Sequence, residues 1–298
     1  MNARQKALIL GGKTGLVGQA LAEVLRNSGW EVTGIGRSEV NFLESKAADT
    51  LAALIDEIEP VCVFNAIAYT DVDKAEDDAE NATLLNRTLP AILARLLKSR
   101  PCQFIHYSTD FVFNGKKQTP YTTDDPTDPL SVYGKTKLAG EEAILAMDLP
   151  HYLIIRSAWL FGPGRQQFIS AILDLARTRR EISVIHDQVG SPTYTLDLAM
   201  YSLKLLESGV SGLFHVVNSG QASKCELADE AIDLAQIECV INPISSAEYA
   251  QKALRPAYSV LDYSALTRVT GITPRPWPQA LREYLFKQAT SEHQQTKT

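Results

Sequence analysis

Gly11-Gly12-Lys13-Thr14-Gly15-Leu16-Val17-Gly18 is the stretch that decides the fold. It carries a Gly-x-x-Gly-x-x-Gly spacing and joins an apolar run at residues 6–10, read as a strand, to a helical pattern at 16–27. Glycine belongs at such a junction because the backbone must turn tightly and let an anion approach. The N–H groups that open the helix have no partners within it and face that anion. A glycine cluster alone is a weak signal. Between a strand and a helix, at the head of an alternating array, it reads as a dinucleotide cradle holding a pyrophosphate.

Working outward, strand patterns at 31–35, 61–65, 103–108 and 151–157 alternate with helical patterns at 47–58, 75–98 and 132–147. That alternation implies an α/β fold, a doubly wound parallel sheet of the Rossmann class covered by helices on both faces. Residues 1–160 are expected to form this dinucleotide-binding domain. After Trp159 the pattern loosens into a turn at 161–164, an irregular loop at 187–193 and a Pro/Arg-rich stretch at 273–278. Residues 161–298 are therefore expected to form a smaller C-terminal substrate-binding lobe. A strand pattern at 213–217 implies a return to the main sheet near 195–218. The polar end, 291–298, reads as a frayed tail.

The 298 residues are 45% hydrophobic and 21% charged, enough to bury a full core. A net charge of -6 argues against a nucleic-acid partner. The first apolar run is too short for a signal-peptide core, and nothing later approaches membrane-spanning length. Cys62, Cys102, Cys225 and Cys239 are scattered without metal-ligand spacing, as expected of reduced thiols in a cytoplasmic protein with no metal site.

The second strand pattern ends in Gly34-Ile35-Gly36-Arg37-Ser38, without the acid that usually holds the 2′-hydroxyl of NADH. Arg37 could meet a 2′-phosphate instead, which favours NADPH; if Arg37 is only a solvated loop residue, NADH stays open. Reduction of a carbonyl also needs a proton donor and dipoles for the developing alkoxide. In Tyr133-Gly134-Lys135-Thr136-Lys137, Tyr133 and Lys137 stand at i and i+4 on one helix face, while Lys135 faces elsewhere. An ammonium beside the phenol would lower its pKa. Ser108-Thr109-Asp110 follows a strand and so falls at the carboxyl edge of the sheet, where such folds bind ligands; Thr109 there can hydrogen-bond a carbonyl.

The cradle, the strand-end hydroxyl and the Tyr/Lys pair occur in the order and approximate spacing of short-chain dehydrogenases. Within that group the chain resembles the dTDP-4-dehydrorhamnose reductase family almost end to end. The resemblance is carried by the segments from Asn65 to Thr70 and Val72 to Glu76, Ser108 to Phe113, and Tyr133 to Glu141. Further on it is carried by Arg156 to Trp159, Asp187 to Thr193, Arg255-Pro256 and Ser259 to Asp262.

It implies Thr109, Tyr133 and Lys137 as the catalytic set, with Lys137 also holding the nicotinamide ribose. It implies cofactor contacts at Gly12, Thr14, Gly15, Leu16, Val17, Gly18, Arg37, Asn65, Ala66, Ala68 and Tyr69, together with Tyr133 and Lys137. Substrate contacts would fall at Thr109, Asp110, Phe111, Trp159 and Arg255, with Trp159 near the sugar and Arg255 near the nucleotide diphosphate. As bare residues, Trp159 reads equally as a core aromatic and Arg255 as a surface cation. The implied reaction is NAD(P)H-dependent reduction at C4 of a dTDP-linked 4-keto-6-deoxy sugar, giving dTDP-L-rhamnose. A homodimer bridged by Mg2+ through carboxylates is also implied, although the sequence places no ligands for it.

Two segments depart from the family pattern. Gln166-Gln167-Phe168 stands where Gly-x-Asn-Phe is usual, and Lys224-Cys225 where an aromatic pair is common. Both leave open reduction of another nucleotide 4-keto sugar. A dehydratase would need an Asp-Glu pair after the threonine, whereas Phe111 follows Asp110. For an epimerase the nearest histidine in sequence, His106, lies inside a strand and reads as a satisfied core residue. A non-catalytic reading, similar to the regulatory subunit of methionine adenosyltransferase, is opposed by the presence of Thr109, Tyr133 and Lys137.

Overall fold

The computed structural model describes residues 4–44 and 46–295. Its first strands and helices, β1 (Lys6–Leu10), α1 (Leu16–Asn27), β2 (Glu31–Ile35) and α2 (Ala47–Ile58), fall where the periodicity puts them. β3 (Cys62–Asn65) begins one residue late, because Val61 is still exposed. The stretch read as one helix over 75–98 is broken instead. A short 3₁₀ turn (Lys74–Glu76) leads to α3 (Ala79–Thr83), a π-helical turn (Leu84–Thr88) and α4 (Leu89–Leu97). Pro90, without an N–H, sits at the head of α4, where none is needed. β4 (Gln103–Thr109), α5 (Val132–Leu145) and β5 (Tyr152–Ser157) complete the alternating array.

Short elements then build the second half: β6 (Leu160–Phe161), α6 (Phe168–Thr178), β7 (Glu181–Ile185), β8 (Val189–Gly190) and β9 (Thr193–Tyr194). They are followed by α7 (Thr195–Glu207), β10 (Gly212–His215), β11 (Ala222–Ser223) and α8 (Lys224–Leu234). The chain ends with β12 (Val240–Ile244), α9 (Ser264–Thr270) and α10 (Trp277–Gln295). Residues 291–295 of the expected frayed tail thus continue α10; 296–298 lie outside the described residues.

The main sheet runs β10-β5-β4-β3-β1-β2, every pair parallel, with Ile9 opposite both Gly34 and Phe64. β1, β3, β4 and β5 are buried on both faces, so their sequences are continuous apolar runs. One face packs against α1, α7 and α9 through Ala20, Leu21, Leu198 and Leu266. The other packs against α2, α4 and α5 through Leu51, Leu93 and Ile144. A third core, around Phe161, Leu173, Tyr194, Leu227 and Trp277, joins α6, α8 and α10 outside the sheet. The chain leaves β1 toward β2 and returns to β3 on β1's other side, so a crevice opens between the carboxyl ends of β1 and β3.

Candidate active site

The glycine loop lies at the mouth of that crevice. Gly11 takes a left-handed conformation (φ 85°), and a β-carbon on Gly12 would stand 2.8 Å from the Gly34 Cα. One on Gly18 would collide with the Gly11 carbonyl, so this glycine lets α1 press against the strand end. Gly15 caps α1 with extended backbone and no side-chain acceptor, and no acid stands in the first turn. The leading N–H groups of α1 therefore face the crevice without a capping side chain, as an anion cradle requires. Thr14 is exposed, and Leu16 and Val17 are half-buried there.

Arg37, just beyond β2, is exposed and makes no side-chain hydrogen bond among the described residues. Sequence reading missed its neighbour Glu39. The Glu39 carboxylate accepts from the Gly36 N–H (2.8 Å) and Ser38 Oγ (2.7 Å) and pairs with Lys13. The Lys13 hydrogen bond leads the contacts that draw it down to about 2. An acid does follow β2, but it is spent on the loop and on the glycine cradle. Asn65, expected beside the cofactor, is fully buried. Its amide accepts from the Ile67 N–H and donates to His106 Nδ1 (3.1 Å), so its side chain shapes the loop from within. Ala66, Ala68 and Tyr69, in the loop after β3, are half-buried.

Thr109 ends β4 and caps the turn that follows. Its hydroxyl accepts from the Phe111 N–H (3.2 Å) and donates to Asp110 Oδ1 (3.1 Å). Tyr133 stands in the first turn of α5, its ring edge-on to Phe111 at 5.5 Å. A β-carbon on Gly134 would collide with the Phe111 carbonyl, so glycine there brings the start of α5 onto the β4 turn.

The expected effect of Lys137 on the phenol is not seen. Lys137 is buried on the same helix; its Nζ donates to the Tyr107 carbonyl and lies 3.4 Å from His106 Nε2. Burial pushes the Tyr133 phenol up to about 12, opposed by the Thr109 hydroxyl beside it and reinforced by the Asp110 charge. The physical reason is that the ammonium is satisfied on the far side, toward the sheet. Burial draws Lys137 down to about 8, with Glu141 opposing. His106 is fully buried in the core, as expected, with its ring nitrogens 3.1 Å from Asn65 Nδ2 and 3.4 Å from Lys137 Nζ.

A buried network backs this group. Glu141 holds Arg156 through three hydrogen bonds (2.6, 2.9 and 3.3 Å) and accepts from Ser108 Oγ, next to Thr109. Glu76 accepts from the Val132 N–H (2.8 Å) at the head of α5. Asn86, in the π-helical turn, accepts from Tyr69 N–H (2.8 Å) and donates to Thr136 Oγ1 (3.0 Å). These residues fix the loop after β3 to the helix that carries Tyr133. Only the π-turn, an interruption that often marks functional sites, could have flagged Asn86, and it has no sequence signature.

On the lobe side, Asp110 is buried and accepts from Ser259 Oγ (2.6 Å); burial raises its carboxyl to about 6 against the pull of Ser259 and Thr109. Phe111 is half-buried at the crevice. Trp159 is strained into left-handed backbone (φ 46°), with its indole against Gly190, where a β-carbon would collide with it. Arg255 departs from expectation. Its guanidinium donates to both oxygens of Asp73 (2.7 and 3.0 Å) and to the Ala253 carbonyl, so it is committed to a latch. The Lys252 and Ala253 N–H groups also converge on Asp73, in the loop after β3.

Among the described residues no group of three or more His, Cys, Asp or Glu side chains could hold a metal ion, and no helix is long and apolar enough to cross a membrane. All four cysteines are free.

Residues 5–290 match the family described as RmlD substrate binding domain. The spore coat polysaccharide biosynthesis protein SpsK of Bacillus subtilis (strain 168) is 38% identical over 285 residues, covering 95% of this chain and 98% of that protein. The dTDP-4-dehydrorhamnose reductase of Mycolicibacterium smegmatis is 35% identical over 288 residues, covering 95% of this chain and 86% of its own length. The crystal structure of a dTDP-4-dehydrorhamnose reductase from Bacillus anthracis in complex with NADP superposes with a TM-score of 0.91 at 28% identity, covering 96% of this chain and 100% of that one.

Proposed function

The chain belongs to the RmlD substrate binding domain family, and from that premise we propose that it reduces the C4 keto group of dTDP-4-dehydro-L-rhamnose to dTDP-L-rhamnose with NADPH. The observation that carries the reading is the meeting of the Thr109 hydroxyl and the Tyr133 phenol at the carboxyl end of β4, on the crevice that the uncapped head of α1 also faces. NADPH, when bound, supplies the hydride. Thr109 orients the carbonyl, and Tyr133 delivers the proton that the developing alkoxide takes up. Lys137, one turn behind Tyr133 and anchored on the Tyr107 carbonyl, holds the nicotinamide ribose on this reading.

The residues fit NADP(H) at both ends. The glycine loop leaves room for a pyrophosphate, and the exposed, uncommitted Arg37 suits a 2′-phosphate, while the acid that would prefer a bare ribose is tied to Lys13. Trp159 and Asp110 belong to the sugar pocket on this reading, whereas Arg255 serves it by holding the Asp73 loop. A cytoplasmic location rests on the scattered cysteines, and a homodimer on the family resemblance.

The test is turnover of dTDP-4-keto-6-deoxyglucose with and without its 3,5-epimerase, following oxidation of NADPH and NADH. Oxidation that depends on the epimerase supports the rhamnose reading. Oxidation without it keeps the reductase and changes the sugar, and no oxidation in either case overturns the proposal.

A further inference from the structure

The Lys224 ammonium has no hydrogen-bonding partner among the described residues. Lys224 opens α8, and its backbone N–H is spent on the Gln188 carbonyl (3.3 Å). Its Nζ lies 3.4 Å from the centre of the Trp159 ring and 4.7 Å from that of Phe168. No carbonyl, hydroxyl or carboxylate among the described residues accepts from it. Aromatic faces attract an ammonium through their quadrupole but leave its N–H donors unspent.

This is a placed residue and no solvated surface lysine. β8 pairs with β11 so that Ser223, the cap of α8, lies opposite Val189, and Gly190 admits the indole that Lys224 covers. Burial draws the ammonium down to about 7, with the Asp110 charge opposing. Asp110 itself accepts from Thr109. The Lys224 ammonium thus lies within the field of the buried carboxyl that the Thr109 hydroxyl meets.

We propose that Lys224 is a specificity-determining residue of the sugar pocket, its ammonium donating to a ring hydroxyl of the sugar other than the one being formed. The assignment rests on the reductase reading above. Two features favour a neutral hydroxyl over the diphosphate. The Asp110 carboxylate, whose field on Lys224 outweighs that of the Arg255 cation, disfavours a doubly charged group, and the ammonium lies on the ring of Trp159, the residue assigned to the sugar. A hydrogen bond from a charged donor to that hydroxyl costs its full strength when the hydroxyl is missing, which is how a site rejects a deoxy analogue.

The experiment compares wild-type protein, Lys224→Met and Lys224→Arg on the dTDP-linked 4-keto-6-deoxy sugar and on its 2-deoxy and 3-deoxy counterparts. NADPH binding, followed by fluorescence, checks that each variant is folded. The wild type is expected to discriminate against one deoxy sugar by about 10- to 100-fold in kcat/KM, mostly through KM. Lys224→Met should lose that factor on the parent sugar and accept parent and analogue alike, and Lys224→Arg should recover part of it. Equal discrimination by wild type and Lys224→Met would overturn the assignment. So would a Lys224→Met variant that weakens competitive binding of dTDP alone as much as binding of the sugar, because Lys224 would then serve the diphosphate. Wild-type protein that turns over no keto sugar removes the reductase reading and the assignment with it; turnover without the Lys224 effect removes the assignment alone.

Discussion

Replacing Glu141 by leucine should unfold the protein earlier without touching any residue that meets the substrate. The Glu141 carboxylate is 2% exposed and its partner Arg156 5% exposed, so neither charge is screened by solvent. The substitution strands a buried guanidinium and removes the acceptor of Ser108 Oγ. Breaking one side of such a pair costs about 3–5 kcal/mol. Unfolding entropy near 2.1 cal/mol/K per residue, taken over this chain, converts that cost into a fall in Tm of about 5–8 °C. Thermal unfolding followed by circular dichroism reads it directly. The companion variant, Glu141→Leu with Arg156→Met, removes both charges, and Met can fill the space against the Phe113 ring that the guanidinium now covers at 5.1 Å. A buried pair replaced by apolar groups of similar volume is close to neutral, so the double variant should regain most of the loss. A single variant that loses less than about 2 °C, or a double variant no better than the single, would show that the pair is not the support assigned to it.

Four further outcomes follow from the site. Tyr133→Phe should lower kcat by about 10²- to 10⁴-fold while NADPH binding, measured by fluorescence, stays intact; equal loss of cofactor binding would make Tyr133 structural. Arg37→Asp should weaken NADPH at least about 10-fold more than NADH, and equal effects in equilibrium binding would remove the phosphate contact. Asp73→Ala frees Arg255 and should raise the sugar KM about fivefold, the worth of a partly exposed ion pair. Arg255, ahead of the backbone donors, holds the Asp73 carboxyl below its ordinary value. The latch is therefore whole above the ordinary carboxylate range near 4 and released only as pH falls through the lowered value, so wild-type KM should be flat from pH 5 upward. Because Lys137 is charged only below about 8, reduction rates should decline above that pH, and a decline that survives in Lys137→Met must come from another group.

What could be read from the sequence and what could not divide along a physical line. Strands buried on both faces are apolar runs, and amphipathic helices repeat their apolar residues with the helical period; so β1, α1, β2 and α2 fall on the expected residues, and β10 joins the edge of the sheet beside β5. The glycine cradle is equally local, because its residue types answer a backbone constraint within eight positions. Thr109 and Tyr133 were legible as types at strand and helix positions. The state of Tyr133 was not, since i,i+4 spacing fixes a shared helix face but leaves Lys137 free to turn to the Tyr107 carbonyl behind it.

The residues that escaped are those whose partners lie far along the chain. Glu76 reaches Val132, Asn86 reaches Thr136, and Asp73 gathers donors from 252, 253 and 255. Arg255 reads in sequence as a ligand of the diphosphate because a cation after a loop looks alike whether its counter-ion is a substrate or Asp73. Lys224 is the opposite case. In sequence it is only a break in a pattern, and its meaning comes from a Trp159 ring 65 residues earlier that supplies attraction without accepting a hydrogen bond. Lys224 is a placed cation whose donors no acceptor among the described residues meets, and there a ligand is expected to complete the count.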